Sequence, residues 1–206
     1  MTVKLVNAVV IGVVGFSALG SAAGVSAQAW DRYLDGYHGP YRGRVVDAET
    51  KQPIAGAVVV AVWSRQKIYP LHSTTVHYAA REALTENDGT FVIHARELEE
   101  NAPRYTLKPY FQIFFPGYGA YRTLVFTQRG FQHGTTFEGA GVTVGLPPLK
   151  TRKDRLENLI SPFDLFASTE DVSDAPFKFT PNLVRLVNQE AVSLGLQPYP
   201  EPERKR

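Results

Sequence analysis

The chain has 206 residues, with 22 Lys and Arg against 20 Asp and Glu and a net charge of +2. That length accommodates one domain with extensions. The absence of cysteine excludes disulfides, thiolate catalysis and Cys-ligated metal, so stability must come from an apolar core. Charges of both signs are interspersed and no ladder of aromatic and basic residues occurs, so nucleic acid is not indicated as a partner.

Met1–Ala29 carries one basic residue, Lys4, then an apolar, small-residue run from Leu5 to Ala23, and ends VSAQA. This is the pattern of a secretory signal peptide cleaved after Ala27 or Ala29. It places the mature protein outside the cytoplasm, periplasmic or extracellular. If uncleaved, the same run is just long enough to anchor the chain in a membrane. Residues 30–40, WDRYLDGYHGP, form an aromatic, turn-rich N-terminal segment. Trp30, Tyr33 and Tyr37 are candidates for stacking on a carbohydrate, or for covering an edge of the core.

From Gly43 the pattern becomes β. Asp47–Pro53 is a run of turn-formers. Ala57–Trp63 (AVVVAVW) is apolar at every position and rich in Val, as expected of a strand buried on both faces. Ser64–Arg81 is expected as a long crossover. Asn87-Asp88-Gly89 should close a β-hairpin into Thr90–Ile93, with Phe91 and Ile93 on one face and Val92 and His94 on the other. Arg96–Asn101 is a charged loop or single helical turn. Tyr110–Phe115 is a central strand and Tyr121–Phe126 the next strand, after a turn at Pro116–Gly119 where Tyr118 should be buried with its hydroxyl bonded. Phe131–Phe137 is expected as loop and Gly141–Leu146 as the last strand.

The segments GRVVDAETKQPIAGAVV, TENDGTFVI and FFPGYG together resemble the carboxypeptidase regulatory-domain-like group, which is transthyretin-like (prealbumin-like). Gly43, Asp47, Pro53, Ile54, Gly56, Ala57, Asp88, Gly89, Phe91, Pro116, Gly117 and Tyr118 carry the resemblance over about half the chain. It implies a mainly β protein, a seven-stranded antiparallel transthyretin-like β-sandwich over residues 41–149. Lys51-Gln52 stands where Thr-Gly is more usual. These motifs specify turns and core rather than an activity.

Transthyretin-like folds also include iron dioxygenases with two Tyr and two His ligands, and Tyr69, His72 and His77 in the crossover are the residues to test against that chemistry. Their spacing favours neither a helix face nor a strand face, and no His-x-His pair is present. The hydroxyisourate hydrolases of a related scaffold end in a Tyr-Arg-Gly-Ser-type tail, whereas this chain ends Glu203-Arg204-Lys205-Arg206. His-Glu-x-x-His and Gly-x-Ser-x-Gly motifs are both missing. The sequence therefore indicates no catalytic residues, no metal ligands and no cofactor.

Residues 150–195 form a helical extension. Leu156, Leu159 and Ile160 share one helical face in the first helix. The second begins at Thr180 as cap, with Pro181 at its first position, and stops before Gly195. Its stripe of Leu183, Leu186, Val187 and Leu194 either packs on its own domain or docks a partner. Residues 196–206, rich in Pro and charge, are expected to be disordered. The function expected from the whole is non-catalytic: an exported β-sandwich module for binding or assembly in the cell envelope, with an envelope protein or polysaccharide as partner. The alternatives are a carbohydrate-binding module and a metal-dependent enzyme using Tyr69, His72 and His77.

Overall fold

The computed structural model describes residues 39–122, 124–127, 130–133, 137–138, 141–159 and 180–199. Residues 1–29, expected as a signal peptide, and the aromatic residues Trp30, Tyr33 and Tyr37 lie outside these described residues, as do 160–179 and 200–206.

The architecture is mainly β. Strands β1 (Tyr41–Asp47), β4 (Thr90–Ile93) and β9 (Thr143–Leu146) form a three-stranded sheet in the order β4-β1-β9. Strands β2 (Val58–Ile68), β3 (Ser73–Leu84), β5 (Tyr110–Phe114) and β6 (Tyr121–Arg122) form a four-stranded sheet in the order β3-β2-β5-β6. A separate ribbon pairs β7 (Leu124–Thr127) with β8 (Gly130–His133). Helix α1 (Arg96–Glu100) follows β4, α2 (Arg152–Leu159) follows β9, and α3 (Pro181–Ser193) comes last among the described elements.

The apolar run in β2 has a simple physical cause. Val59, Ala61 and Trp63 pack with Tyr41, Val45, Phe91, Ile93, Val144 and Leu146 from the three-stranded sheet. The alternate residues Val58, Val60 and Val62 pack with Leu183, Leu186, Val187, Ala191 and Leu194 of the α3 region. With side chains alternating along a strand, burial on both faces requires an unbroken apolar run. Phe91 and Ile93 are buried and Val92 and His94 exposed, as the alternation in β4 predicts.

Several expectations are corrected. The pairing is not wholly antiparallel, because β9 runs parallel to β1 from Arg44↔Thr143 to Asp47↔Leu146; β9 arrives after a long connection, as a parallel partner requires. The described strands number nine rather than seven, in sheets of three, four and two. Phe131–Phe137 is not all loop, since β8 begins that stretch. The turn at Asn87-Asp88-Gly89 is present, with Gly89 at φ 80 and its N–H donating to the Glu86 carbonyl. It joins two sheets, however: β3 pairs with β2 while β4 pairs with β1.

The helical extension also differs in detail. Thr180 makes no side-chain cap to α3; instead the Glu82 carboxylate from β3 accepts from the N–H groups of Asn182 and Leu183. Arg155 of α2 grips Glu190 of α3 with two bonds of 2.7 and 2.6 Å. The start of the expected disordered tail is held: the Asn188 side-chain amide donates to the Tyr199 carbonyl and accepts from its N–H.

Candidate functional site

Ser64–Arg81, expected as a crossover, is instead most of a long antiparallel hairpin. The β2–β3 ladder runs from Val58↔Leu84 to Ile68↔Ser73, with a bulge between Trp63 and Ser64. Backbone pairing does not need apolar side chains, so the ladder continues after the apolar run of β2 ends at Trp63. Strand β5 pairs with β2 only from Val58 to Val62, so the distal half of the hairpin is an arm extending beyond that sheet. A turn closes it, with the Tyr69 N–H donating to the His72 carbonyl at 2.8 Å.

The loop before β5 lies along one side of this arm. The Gln66 N–H donates to the Tyr105 carbonyl at 3.0 Å, and the Leu107 N–H to the Ser64 carbonyl at 2.7 Å. Tyr105 sits at φ 65, a left-handed conformation unusual for an aromatic residue. This arrangement places Arg104 and Tyr105 beside Arg65, Lys67 and Tyr69. Together they line an open depression of about 360 Å³. Three cations and two phenol rings facing one concavity suit an anionic ligand: the cations attract it and the rings offer flat, amphipathic contact.

At the tip, Ile68 is 59% exposed and Leu71 97% exposed. The Tyr69 and His72 rings stack with centroids 4.7 Å apart. His77 belongs elsewhere: it pairs with Ser64 on the ladder, about 16 Å from His72 at the usual rise per strand residue. It is half-buried, and burial pushes its pKa down, favouring neutral imidazole. Tyr69 and His72 are therefore brought together, but His77 is not. Among the described residues, no three His, Cys, Asp or Glu side chains converge on a possible metal position.

The partner-docking alternative for the second helix is corrected. Leu183, Leu186, Val187 and Leu194 are all buried, packed on the outer face of the four-stranded sheet. That stripe is covered by its own chain because β2 and β5 present Val58, Val60, Val62 and Phe114 to it.

The sequence reading passed over Arg65, Lys67, Leu71, Arg104 and Tyr105. One signal was available: from Ser64 to Arg81 there is no Asp or Glu, and the apolar Ile68–Leu71 interrupts that polar stretch. It also passed over Glu99. In the charged segment RELEEN this residue is buried, with its Oε1 accepting from the Tyr41 hydroxyl at 2.6 Å and the Trp63 indole at 2.7 Å. Glu99 thereby ties α1 to both sheets. Tyr118 is half-buried and its hydroxyl donates to Asp47 at 2.9 Å.

No protein-family model and no curated protein matches the chain. Among solved structures it is similar to a 9R-lipoxygenase from Cyanothece, with 10% identity and a TM-score of 0.27 over 72% of this chain. It spans 24% of that structure's length, and a likeness so slight carries no argument about fold or activity.

Proposed function

We propose that the chain is a non-catalytic, exported binding module of the cell envelope, and that the β2–β3 arm is its contact surface. The single observation that carries this reading is the depression lined by Arg65, Lys67 and Tyr69 of a ribbon that extends beyond its pairing with β5 and by Arg104 and Tyr105 of the loop beside it. Arg65 on the ribbon and Arg104 on the adjoining loop form no ion pair among the described residues, which leaves both able to meet a partner. Export rests on the N-terminal pattern, with residues 1–29 as a cleaved signal peptide. The fold assignment is a carboxypeptidase regulatory-like, transthyretin-like β-sandwich; in its support, one apolar cluster draws on both sheets and the Gly89 turn joins them.

A carbohydrate-binding reading is favoured by one observation, the Tyr69–His72 stack beside Tyr105, which offers a planar surface to a sugar ring. The metal-enzyme reading has no comparable support, given the separation of His77 from His72.

The test is sedimentation of the exported protein with isolated native envelopes. Retention should fall at least about tenfold in R65E/R104E and persist in V192D, which changes an exposed apolar residue on α3. Equal retention of both variants would contradict the assignment of the arm.

A further inference from the structure

We infer that the tip of the β2–β3 arm docks on an anionic lipid surface, with Ile68, Tyr69 and Leu71 entering the headgroup boundary and Arg65 and Arg104 meeting lipid phosphates. This rests on the reading of the arm as contact surface and names its partner.

The argument begins with what folding leaves unexplained. Leu71 is the most exposed large apolar side chain among the described residues, at 97%, and Ile68 and Tyr69 beside it are 59% and 40% exposed. Scattered exposed hydrophobics are ordinary. Three at one turn, on a ribbon with no core to cover them, form a patch that water disfavours.

Charge then selects the phase that accepts the patch. Neither the hairpin segment 64–81 nor the adjoining segment 101–112 contains an Asp or Glu. Arg65 and Arg104 form no ion pair among the described residues. Lys108, a further cation of that loop, is engaged with Glu138 at 2.9 Å and is not counted. The cationic depression shares Ile68 and Tyr69 with the tip, so apolar, phenolic and cationic groups succeed one another back along the arm. That sequence matches the depth profile of a bilayer interface: acyl boundary, then the amphipathic belt, then phosphates. Arg65 and Arg104 near an anionic leaflet add attraction that apolar insertion alone lacks. An acidic polysaccharide would engage the cations but offers no apolar phase to Ile68 and Leu71.

The test uses the exported protein and two vesicle preparations, phosphatidylcholine alone and phosphatidylcholine mixed with phosphatidylglycerol. Co-sedimentation should be at least about tenfold stronger with the anionic vesicles, and should weaken with salt. L71D should lose about tenfold while keeping its unfolding temperature, because the residue is outside any core; R65Q/R104Q should lose binding and most of the salt dependence. Binding that is indifferent to L71D, or no binding to anionic vesicles, overturns the inference. If vesicles fail while native envelopes still retain the protein through Arg65 and Arg104, the lipid is wrong but the arm stands, with an acidic polysaccharide or a protein as partner. Loss of retention on both sinks the arm as well.

Discussion

Glu82 on β3 holds the N-terminal end of α3 through Asn182. Its Oε1 accepts from both the backbone N–H and the side-chain Nδ2 of Asn182 at 2.7 Å, and its Oε2 accepts from the Leu183 N–H at 3.1 Å. The carboxylate satisfies N–H groups that the first turn of a helix leaves unpaired and sits at the positive end of the helix dipole. It also couples the sheet to the helix that covers it. E82A should therefore destabilise the protein by about 1–2 kcal/mol, in the range of a lost cap, measured by urea unfolding.

The same carboxylate should leave a mark on the pH profile. Burial raises its pKa above the ordinary 4.5, although the N–H groups of Asn182 and Leu183 and the Arg185 charge pull it down. A raised folded-state value means that its contribution is fully present below 4.5 and declines as pH rises through the folded value. In E82Q, stability measured from about pH 4 upward should decline less than in the parent. An identical profile would show that Glu82 does not titrate with folding.

Asp47 should act in the opposite sense. The Thr50 N–H is the main influence lowering its pKa below 3.8, with the Tyr118 hydroxyl and the Glu49 N–H assisting against partial desolvation. Its contribution is present above 3.8 and is lost as pH falls through the lower folded value. Removing one of the bonded donors in Y118F should move the acid-unfolding midpoint to higher pH, read by circular dichroism. No movement would separate the Tyr118 bond from acid stability.

Gly89 carries the turn between the sheets. It lies at φ 80, and a Cβ there would clash with the Val45 carbonyl oxygen. G89V meets both a left-handed backbone and a backbone clash, and should cost roughly 3 kcal/mol or more. H72A, at the exposed tip, should change stability by less than about 0.5 kcal/mol. Equal shifts in unfolding temperature would contradict the placement of the turn.

The α2–α3 clasp predicts a further loss. Glu190 is 1% exposed and Arg155 supplies its ionic partner; the paired carboxylate also raises the Arg155 pKa. R155A strands a buried carboxylate and should cost about 3 kcal/mol in chemical unfolding.

What was legible in the sequence follows from how local each signal is. The Val run of β2 and the alternation of β4 report burial directly; β4 is where the pattern places it, whereas β2 runs on past Trp63 to Ile68. The leucine stripe of α3 marked an apolar face correctly, but periodicity says nothing about what covers it; only the complementary even-numbered face of β2 decides that. The arm has the look of a crossover in the sequence because a ladder held by backbone bonds leaves no apolar signature. Glu99 was hidden by its neighbours, since burial of one carboxylate depends on Tyr41 and Trp63, distant in sequence. The depression was not legible because it joins two segments about forty positions apart.

The most direct measurement is photo-crosslinking in intact native cells, with a photoreactive residue placed at Leu71 or, separately, at Val192. Both positions are exposed, so neither substitution should disturb the core. Envelope adducts from position 71 and none from position 192 are the predicted result. Adducts from position 192 alone would contradict the arm as the contact surface.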